Sequence, residues 1–257
     1  MAEARKTLSL AVLIDADNTS AKHAQPIFDE IVKLGEANVR RIYGDFSGSR
    51  LSGWEGAIQS LAILQHQQRS NSKGKNASDI ALVIDAMDLM YKRTLDGVVL
   101  VSSDSDFTRL AQRLREEGLE VYGFGERKAV EAFRNACNRF IYVENLLDAE
   151  PEEKKGGTAP AKAAAPKKDP PSKARKIIAD AIGEPDADGW ENLSSIGSRI
   201  QGAHPDFDPR SYGCANLSTL VEKSGGFDIR KDRGAVHVRH KADAAPKGSG
   251  AGKASAA

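Results

Sequence analysis

The sequence predicts an α/β protein, with a mainly parallel sheet in the first part of the chain and a smaller second domain after it. Short apolar runs alternate with helical patterns over residues 7–148, and such alternation is typical of a parallel sheet covered by helices on both faces. The runs LSLAVLI and VVLV are almost continuously apolar, as strands buried on both faces are. A stretch rich in proline, alanine and lysine then precedes a second compact segment.

Six strands and five helices are expected in the first part. The strands are predicted at residues 8–14, 39–44, 61–65, 98–102, 120–124 and 140–143. Helical patterns lie between them, at residues 21–34, 54–60, 78–91, 105–117 and 127–137. In the helix at 78–91, the spacing of a buried face predicts an inward stripe of Ile80, Val83, Ile84, Met87 and Met90.

The second part has a helical pattern of its own over residues 174–240. Helices are predicted at 173–182, 193–200 and 212–223, and two alternating strands at 227–230 and 235–239 form a hairpin wing. Residues 149–173 are predicted to be an extended linker, and residues 241–257 a disordered tail.

The composition is that of a globular protein and argues against a membrane-spanning one. No apolar run approaches the roughly 20 residues that a membrane helix needs, and the first residues lack a secretory pattern. Cys137 and Cys214 are far apart, which favours two reduced thiols over a disulfide. A cytoplasmic location is therefore expected.

Charge is distributed unevenly along the chain. Residues 1–150 hold 19 lysines and arginines against 22 acidic residues, whereas the remainder holds 18 against 14. The first part is thus better suited to bind cations and the second to bind polyanions.

Four aspartates lie where three separated segments should converge. Asp15 and Asp104 follow apolar runs, Asp106 comes two residues later, and Asp79 opens a predicted helix. Because strands in a parallel sheet end at the edge where the following helices begin, all four should share that edge. Clustered carboxylates cannot all stay ionised without a cation, and their oxygens suit Mg²⁺ or Mn²⁺.

Neutral and basic side chains are expected around this acidic site. Asn18 and Ser103 would provide neutral oxygens, while Lys73 and Lys75 in the polar loop before the helix could hold a substrate's phosphate backbone. A metal in such a site activates a water and stabilises the leaving oxygen of a phosphodiester. Asp79 or Asp106 would then orient the attacking water.

The motifs LIDADN, SDIALVIDA, SSDSDF and VYGFG occur in order over about residues 7–148. Together they resemble the NYN domain, a branch of the PIN-like nuclease superfamily. The resemblance implies a PIN-like α/β/α sandwich with a mainly parallel sheet and a Mg²⁺- or Mn²⁺-dependent ribonuclease site. Carried over by position, the catalytic and metal-binding acids are Asp15, Asp79, Asp104 and Asp106, with Asn18 as a polar partner.

The second part carries Trp190, the run PDFD and the closing segment FDIRKDRGAVHVR. It resembles the OST-HTH domain, also called LOTUS, which implies a winged helix-turn-helix fold that binds RNA or a protein partner. Arg199, Arg230 and Lys231 are the basic residues expected to contact RNA phosphates. No membrane contact is expected, and a homodimer is left open.

Two other functions compete with a ribonuclease. LIDADNT also fits the first motif of haloacid-dehalogenase-type phosphatases, with Asp15 as nucleophile and Asp17 as acid and base. Alternatively, the chain is an RNA-binding adapter whose acidic cluster does not cleave. Asp17→Asn should abolish a phosphatase but only weaken a nuclease, and cleavage by the wild type against Asp104→Asn separates nuclease from adapter.

Overall fold

A computed structural model describes residues 7–68, 76–147, 168–232 and 234–241 of the chain. The chain divides into two compact units: the first runs to residue 167 and also includes 201–211, and the second holds 168–200 and the residues from 212 onward. Three predicted features lie outside the described residues: Lys73 with Lys75, most of the linker, and the tail beyond residue 241.

The first unit is built on a six-stranded parallel sheet with the order β3-β2-β1-β4-β5-β6. Its strands are β1 (Ser9–Asp15), β2 (Glu36–Gly44), β3 (Leu64–Gln67), β4 (Gly97–Val101), β5 (Glu120–Gly125) and β6 (Arg139–Tyr142). All six predicted strands are confirmed, although β2 begins three residues earlier and β3 three residues later than expected. The chain order reverses between β1 and β4, and such a switch point opens a crevice at the carboxyl ends of the strands.

Helices cover both faces of this sheet. They are α1 (Ala24–Ile31), α2 (Glu55–Ser60), α3 (Ala77–Tyr91), α4 (Thr108–Glu116), α5 (Glu131–Ala136) and the short α6 (Glu144–Leu147). One core cluster joins the sheet to α3, α4 and α5 through Leu82, Leu110 and Phe133. A second cluster joins the opposite face to α1 and α6 through Ile27 and Leu146. The three layers confirm the predicted α/β/α sandwich.

The inward face predicted for α3 is wrong in two of its main positions. Ile80 and Ile84 are 60% and 55% exposed. Met90 is buried as predicted, and Val83 and Met87 are partly buried against the core. The other buried positions are Ser78, Leu82, Ala86 and Leu89. Because apolar residues surround almost the whole helix, their spacing alone could not select the face that meets the sheet.

Residues 201–211 pack within the first unit through polar contacts. The Arg210 guanidinium lies 3.1 Å from the buried Glu30 carboxylate, and the Tyr142 hydroxyl donates a 2.7 Å hydrogen bond to Asp206. Glu30 ionises more readily as a result: burial opposes the shift, but Lys33 and Arg210 lower its pKa below the usual value.

The second unit has the helices and wing of a winged helix-turn-helix. Its helices are α7 (Ala174–Ala181), α8 (Leu193–Ala203, whose last residues group with the first unit) and α9 (Leu217–Ser224). A three-stranded antiparallel sheet combines β7 (Glu191–Asn192), β8 (Phe227–Asp232) and β9 (Ala235–His240) in the order β7-β9-β8.

Several boundaries in the second unit differ from the prediction. The helix α8 ends at Ala203 rather than at 200, and β8 ends at Asp232 rather than at 230. The third helix begins at Leu217 rather than at 212, because the Asn216 side chain accepts a 2.9 Å hydrogen bond from the backbone N–H of Thr219 and caps it there. The last predicted linker residues, Pro171–Lys173, form a 3₁₀ turn that leads into α7. Within the described part of the chain, no helix combines the length and apolarity required to cross a membrane.

Candidate active site

The ends of the two central strands meet at Asp15 and Ser102. Asp15 is the last residue of β1 and is 1% exposed, and β4 ends one residue before Ser102. The buried Ser102 hydroxyl donates a 2.7 Å hydrogen bond to Asp15 Oδ2. The two neighbouring strands are thus joined by a carboxylate at the switch point of the sheet.

The loop after β1 folds back to satisfy the same carboxylate. Asn18 Nδ2 donates to Asp15 Oδ2 at 2.8 Å, and the backbone N–H groups of Asp17 and Asn18 donate to Oδ1 at 3.1 and 3.2 Å. Burial raises the pKa of Asp15, and the hydrogen bonds from Ser102 and Asn18 oppose that increase. Asn18 therefore orients Asp15, as a polar partner should.

Asp104 begins the segment that carries Asp106. Its Oδ1 accepts a 2.9 Å hydrogen bond from the backbone N–H of Asp106, which caps the 3₁₀ turn Ser105–Phe107 before α4. The backbone N–H of Asp104 in turn donates to the Ser102 hydroxyl at 3.1 Å. Ser102 thus connects Asp15 to Asp104, and the exposed Asp106 extends beyond them.

Asp79 lies in the first turn of α3, and its pKa responds to the charges of the neighbouring aspartates. Burial is the largest cause that raises its pKa to about 6, and the charges of Asp15, Asp104, Asp17 and Asp106 raise it further. The four predicted acids, together with Asp17, therefore act on one another electrostatically at the carboxyl edge of the sheet.

The donor chemistry of this site fits a hard divalent cation. Oxygen-only donors suit Mg²⁺, which usually keeps several waters and takes one or two carboxylates directly. In the ranges that the structure describes, no three acidic, histidine or cysteine side chains converge into one metal-binding group. The described residues thus offer oxygen donors of the right chemistry for such a cation without forming a complete metal-binding group.

Asp17 has a structural role that its sequence position left open. The Arg50 guanidinium pairs with its Oδ1, and the Ser78 hydroxyl donates to its Oδ2 at 3.0 Å. One carboxylate thereby links the loop after β1, the 3₁₀ turn Ser49–Trp54 and the start of α3.

Ser103 accepts a 2.8 Å hydrogen bond from the backbone N–H of Glu126. The Ser103 hydroxyl therefore holds the loop after β5 next to the end of β4.

Sequence reasoning missed several residues at the same edge. A cavity of about 410 Å³ opens between the loop after β1, the turn at Ser49–Trp54 and the loop after β5. Besides the predicted Asn18, it is lined in part by Arg50, Glu126 and Lys128, which were not predicted for it. The sequence could have indicated Arg50, Glu126 and Lys128, because each lies in a segment that follows the carboxyl end of a strand. Such segments form the ligand-binding edge of a parallel sheet.

In the second unit, Trp190 lies between two arginines. The Arg230 and Arg239 guanidinium carbons lie 4.6 and 4.5 Å from the centre of its ring, within the range of a cation–π contact. Of the other predicted RNA contacts, Lys231 is exposed on β8. Arg199 is engaged locally, with Glu191 and with the carbonyl oxygen of Ala181 at 2.7 Å.

Comparisons with known proteins agree with this architecture. The NYN domain family matches residues 9–146, and the OST-HTH/LOTUS domain matches residues 166–239. The search of curated proteins gave no match.

Among solved structures, a protein of unknown function from Vibrio parahaemolyticus shares 15% identity, with 55% of this chain and 95% of that one covered and a TM-score of 0.47. MurG from Acinetobacter baumannii shares 11% identity, with 84% and 70% covered and a TM-score of 0.35. Neither likeness supports a functional argument. The NYN match covers more than half of the chain, and the chain therefore belongs to the NYN domain family, with an OST-HTH/LOTUS domain after its NYN domain.

Proposed function

We propose that this protein is a cytoplasmic endoribonuclease that hydrolyses RNA phosphodiester bonds with the help of Mg²⁺ or Mn²⁺. The observation that carries the proposal is the meeting of Asp15 and Asp104 at the switch point of the sheet, where the Ser102 hydroxyl hydrogen-bonds to both. Asp79 lies at the same edge, where burial and then the charges of these acids raise its pKa. Such repulsion is a cost to the folded protein unless the site captures positive charge. Membership of the NYN domain family favours a nuclease, in which the captured positive charge would be a metal ion.

The side chains have separate roles in this proposal. Asp15, Asp79, Asp104 and Asp106 would hold the cation, one or two of them directly and the others through its waters, and the bound cation would activate water and stabilise the leaving oxygen. Ser102 orients Asp15 through its 2.7 Å hydrogen bond.

Proton transfer from the attacking water falls to Asp79 or to Asp106. That base would be whichever of the two carboxylates is not a direct ligand of the cation, because a carboxylate bound directly to a cation is a poor proton acceptor.

The OST-HTH/LOTUS domain would bring RNA to the enzyme. Arg230 and Lys231 are exposed on its wing, where they can contact phosphates without reading the sequence. Arg199 would contribute less, since Glu191 already engages its guanidinium. A protein partner for this domain and a homodimer are the other outcomes that binding experiments would reveal.

Cleavage of end-labelled single-stranded RNA with Mn²⁺ tests the proposal. We expect the wild type to cleave the RNA. The cleavage rate of Asp104→Asn should be lower by about 100-fold or more, the effect of losing a group at a metal site. Asp88→Asn, which removes an exposed acid from the same helix as Asp79, should cleave normally. If the wild type binds RNA but leaves it intact, the protein is an adapter.

The Asp17→Asn variant tests the phosphatase alternative. Asp17 is already engaged by Arg50 and Ser78, so its loss should weaken RNA cleavage without abolishing it. Release of phosphate from a phosphomonoester by the wild type, abolished in this variant, would instead establish a phosphatase.

A further inference from the structure

The cavity beside the acidic site has the size and lining of a subsite for part of a substrate. Its volume of about 410 Å³ lies within the range of roughly 300–1,000 Å³ typical of ligand pockets. Its deepest side chains are apolar, with Trp54 and Leu51 only 2% and 6% exposed. Polar groups from the loop after β1, including Asn18 and Ser20, complete the wall.

Two exposed cations stand at the rim of this cavity. Arg50 and Lys128 both line it, and their side chains are 66% and 64% exposed. Each is placed by an acid: Arg50 pairs with Asp17, and Lys128 lies 3.0 Å from Glu126. A guanidinium has five N–H donors, so the Asp17 contact leaves Arg50 donors that can reach a phosphate.

The position of the cavity relative to the acids follows from the fold. Asp79 and Asp106 belong to segments on the face of the sheet that α3 and α4 cover. Trp54 and Leu51, the apolar part of the cavity, belong to the core cluster of the opposite face. The loop from Asp15 to Asn18 connects the two. An RNA strand cut at the acids and running across this loop would therefore reach the cavity.

We propose that this cavity is a subsite for the nucleotide that flanks the scissile phosphate, with Arg50 and Lys128 contacting the phosphate of that nucleotide. The inference rests on the proposed ribonuclease function and adds the residues that position its substrate. Because Asp17 and Glu126 balance the two cations, the subsite is formally neutral. It therefore suits a nucleotide delivered as part of a strand better than a free anion.

The test measures binding of RNA to full-length protein that carries Asp104→Asn, so that the RNA stays intact. The ligand is a short, unstructured, fluorescein-labelled oligoribonucleotide, and its phosphates are replaced by neutral methylphosphonates one position at a time. Binding is followed by fluorescence anisotropy for Arg50→Ala and Lys128→Ala. Two controls are matched in charge and pairing: Arg113→Ala, next to Glu117, and Lys33→Ala, next to Glu30. Arg113 lies in the last turn of α4, and Lys33 lies just beyond the C-terminus of α1.

We expect Arg50→Ala and Lys128→Ala to weaken binding about two- to fivefold each, the effect of one exposed ion pair, and the controls to bind normally. One methylphosphonate position should weaken binding to the parent but not to Arg50→Ala, because the variant has already lost that contact. Inorganic phosphate should not compete at comparable concentrations. Unchanged affinity in both variants, or no position that couples to Arg50, would refute the subsite.

Folding of each variant is checked by its thermal melting curve. If Arg50→Ala fails to fold, the same methylphosphonate scan on Lys128→Ala decides the question. Failure of the ribonuclease proposal looks different: the wild type would not cleave RNA, whereas the position-specific coupling to Arg50 could still be present. If the wild type cleaves RNA but no phosphate position couples to Arg50, the ribonuclease proposal stands and only the subsite is refuted.

Discussion

The Ser102 hydroxyl donates a 2.7 Å hydrogen bond to Asp15 and accepts one of 3.1 Å from the backbone N–H of Asp104. One buried serine thus connects Asp15, at the end of β1, to Asp104, in the loop after β4, and both are proposed metal-binding acids. Ser102→Ala should lower the free energy of unfolding by about 1.5–3 kcal/mol, the range for a hydrogen bond to a charged group, as measured by urea denaturation.

The same substitution should weaken Mn²⁺ binding about tenfold, because a residue that orients a metal ligand commonly contributes 10- to 100-fold to affinity. The Ser102 hydrogen bond also lowers the pKa of Asp15, so its loss makes Asp15 harder to ionise. Titration calorimetry with Mn²⁺ measures the change. Ser105→Ala, at an exposed position of the same loop, is the control. Equal affinities in both variants would show that Ser102 does not support the site.

Asp79 should make the metal-free protein less stable as pH rises. Its pKa is about 6 in the folded protein and 3.8 in an unfolded chain, so ionisation between these values favours the unfolded state. The cost is absent below about pH 4 and complete above about pH 6. Asp79→Asn should therefore stabilise the protein in EDTA at pH 7 but not at pH 3.5, as followed by thermal melting. Saturating Mn²⁺ should reverse the order at pH 7. A stabilisation that does not depend on pH would contradict this account.

The edge of the sheet was predictable from the sequence, but the side chain that points inward there was not. Apolar runs alternating with helical patterns predicted that Asp15, Asp104 and Asp79 share one edge, because parallel strands all end where the following helices begin. The choice between Ser102 and Ser103 depends on which face each side chain meets, and successive residues at a strand end point in opposite directions. Ser102, which the prediction did not name, contacts Asp15, and the predicted Ser103 contacts the backbone N–H of Glu126.

Contacts between segments that are distant in the chain could not be predicted from the sequence either. Arg50 meets Asp17 only because the turn Ser49–Trp54 folds over the loop after β1, and no local pattern in the sequence reports that approach. The buried face of α3 was missed for a related reason, since the sheet selects among several apolar faces.

Asp85 anchors the middle of α3 to the sheet. Its Oδ2 accepts 2.7 Å hydrogen bonds from Arg41 and from the Tyr43 hydroxyl on β2, while His66 on β3 lies 3.5 Å away. Burial opposes ionisation, but Tyr43 and Arg41 lower the pKa of Asp85 below its usual value. Asp85→Ala should cost about 2–3 kcal/mol of stability near neutral pH, whereas Asp88→Ala, at an exposed position, should cost little.

The stabilisation by Asp85 should also depend on pH. Because its pKa is lowered in the folded protein, the benefit is present above the unfolded value of 3.8 and is lost as pH falls through the folded value. Urea denaturation of wild type and Asp85→Ala at pH 7 and at pH 3 measures this loss. The two proteins should differ less at pH 3, and an equal difference at both pH values would mean that the carboxylate's charge is not what holds α3.

Arg230 should supply the RNA charge contact of the wing, and Arg239 should support it. Both stack on Trp190, but Arg239 also lies 3.2 Å from Asp228, whereas Arg230 is exposed. Arg230→Ala should therefore weaken RNA binding at low salt and reduce the slope of log affinity against log salt by about 1, the signature of one lost phosphate contact. Anisotropy titrations over a range of KCl concentrations measure this slope, with Lys176→Ala, an exposed lysine on α7, as control. A slope that stays constant in Arg230→Ala would show that the wing does not contact RNA, and it would favour a protein partner for this domain.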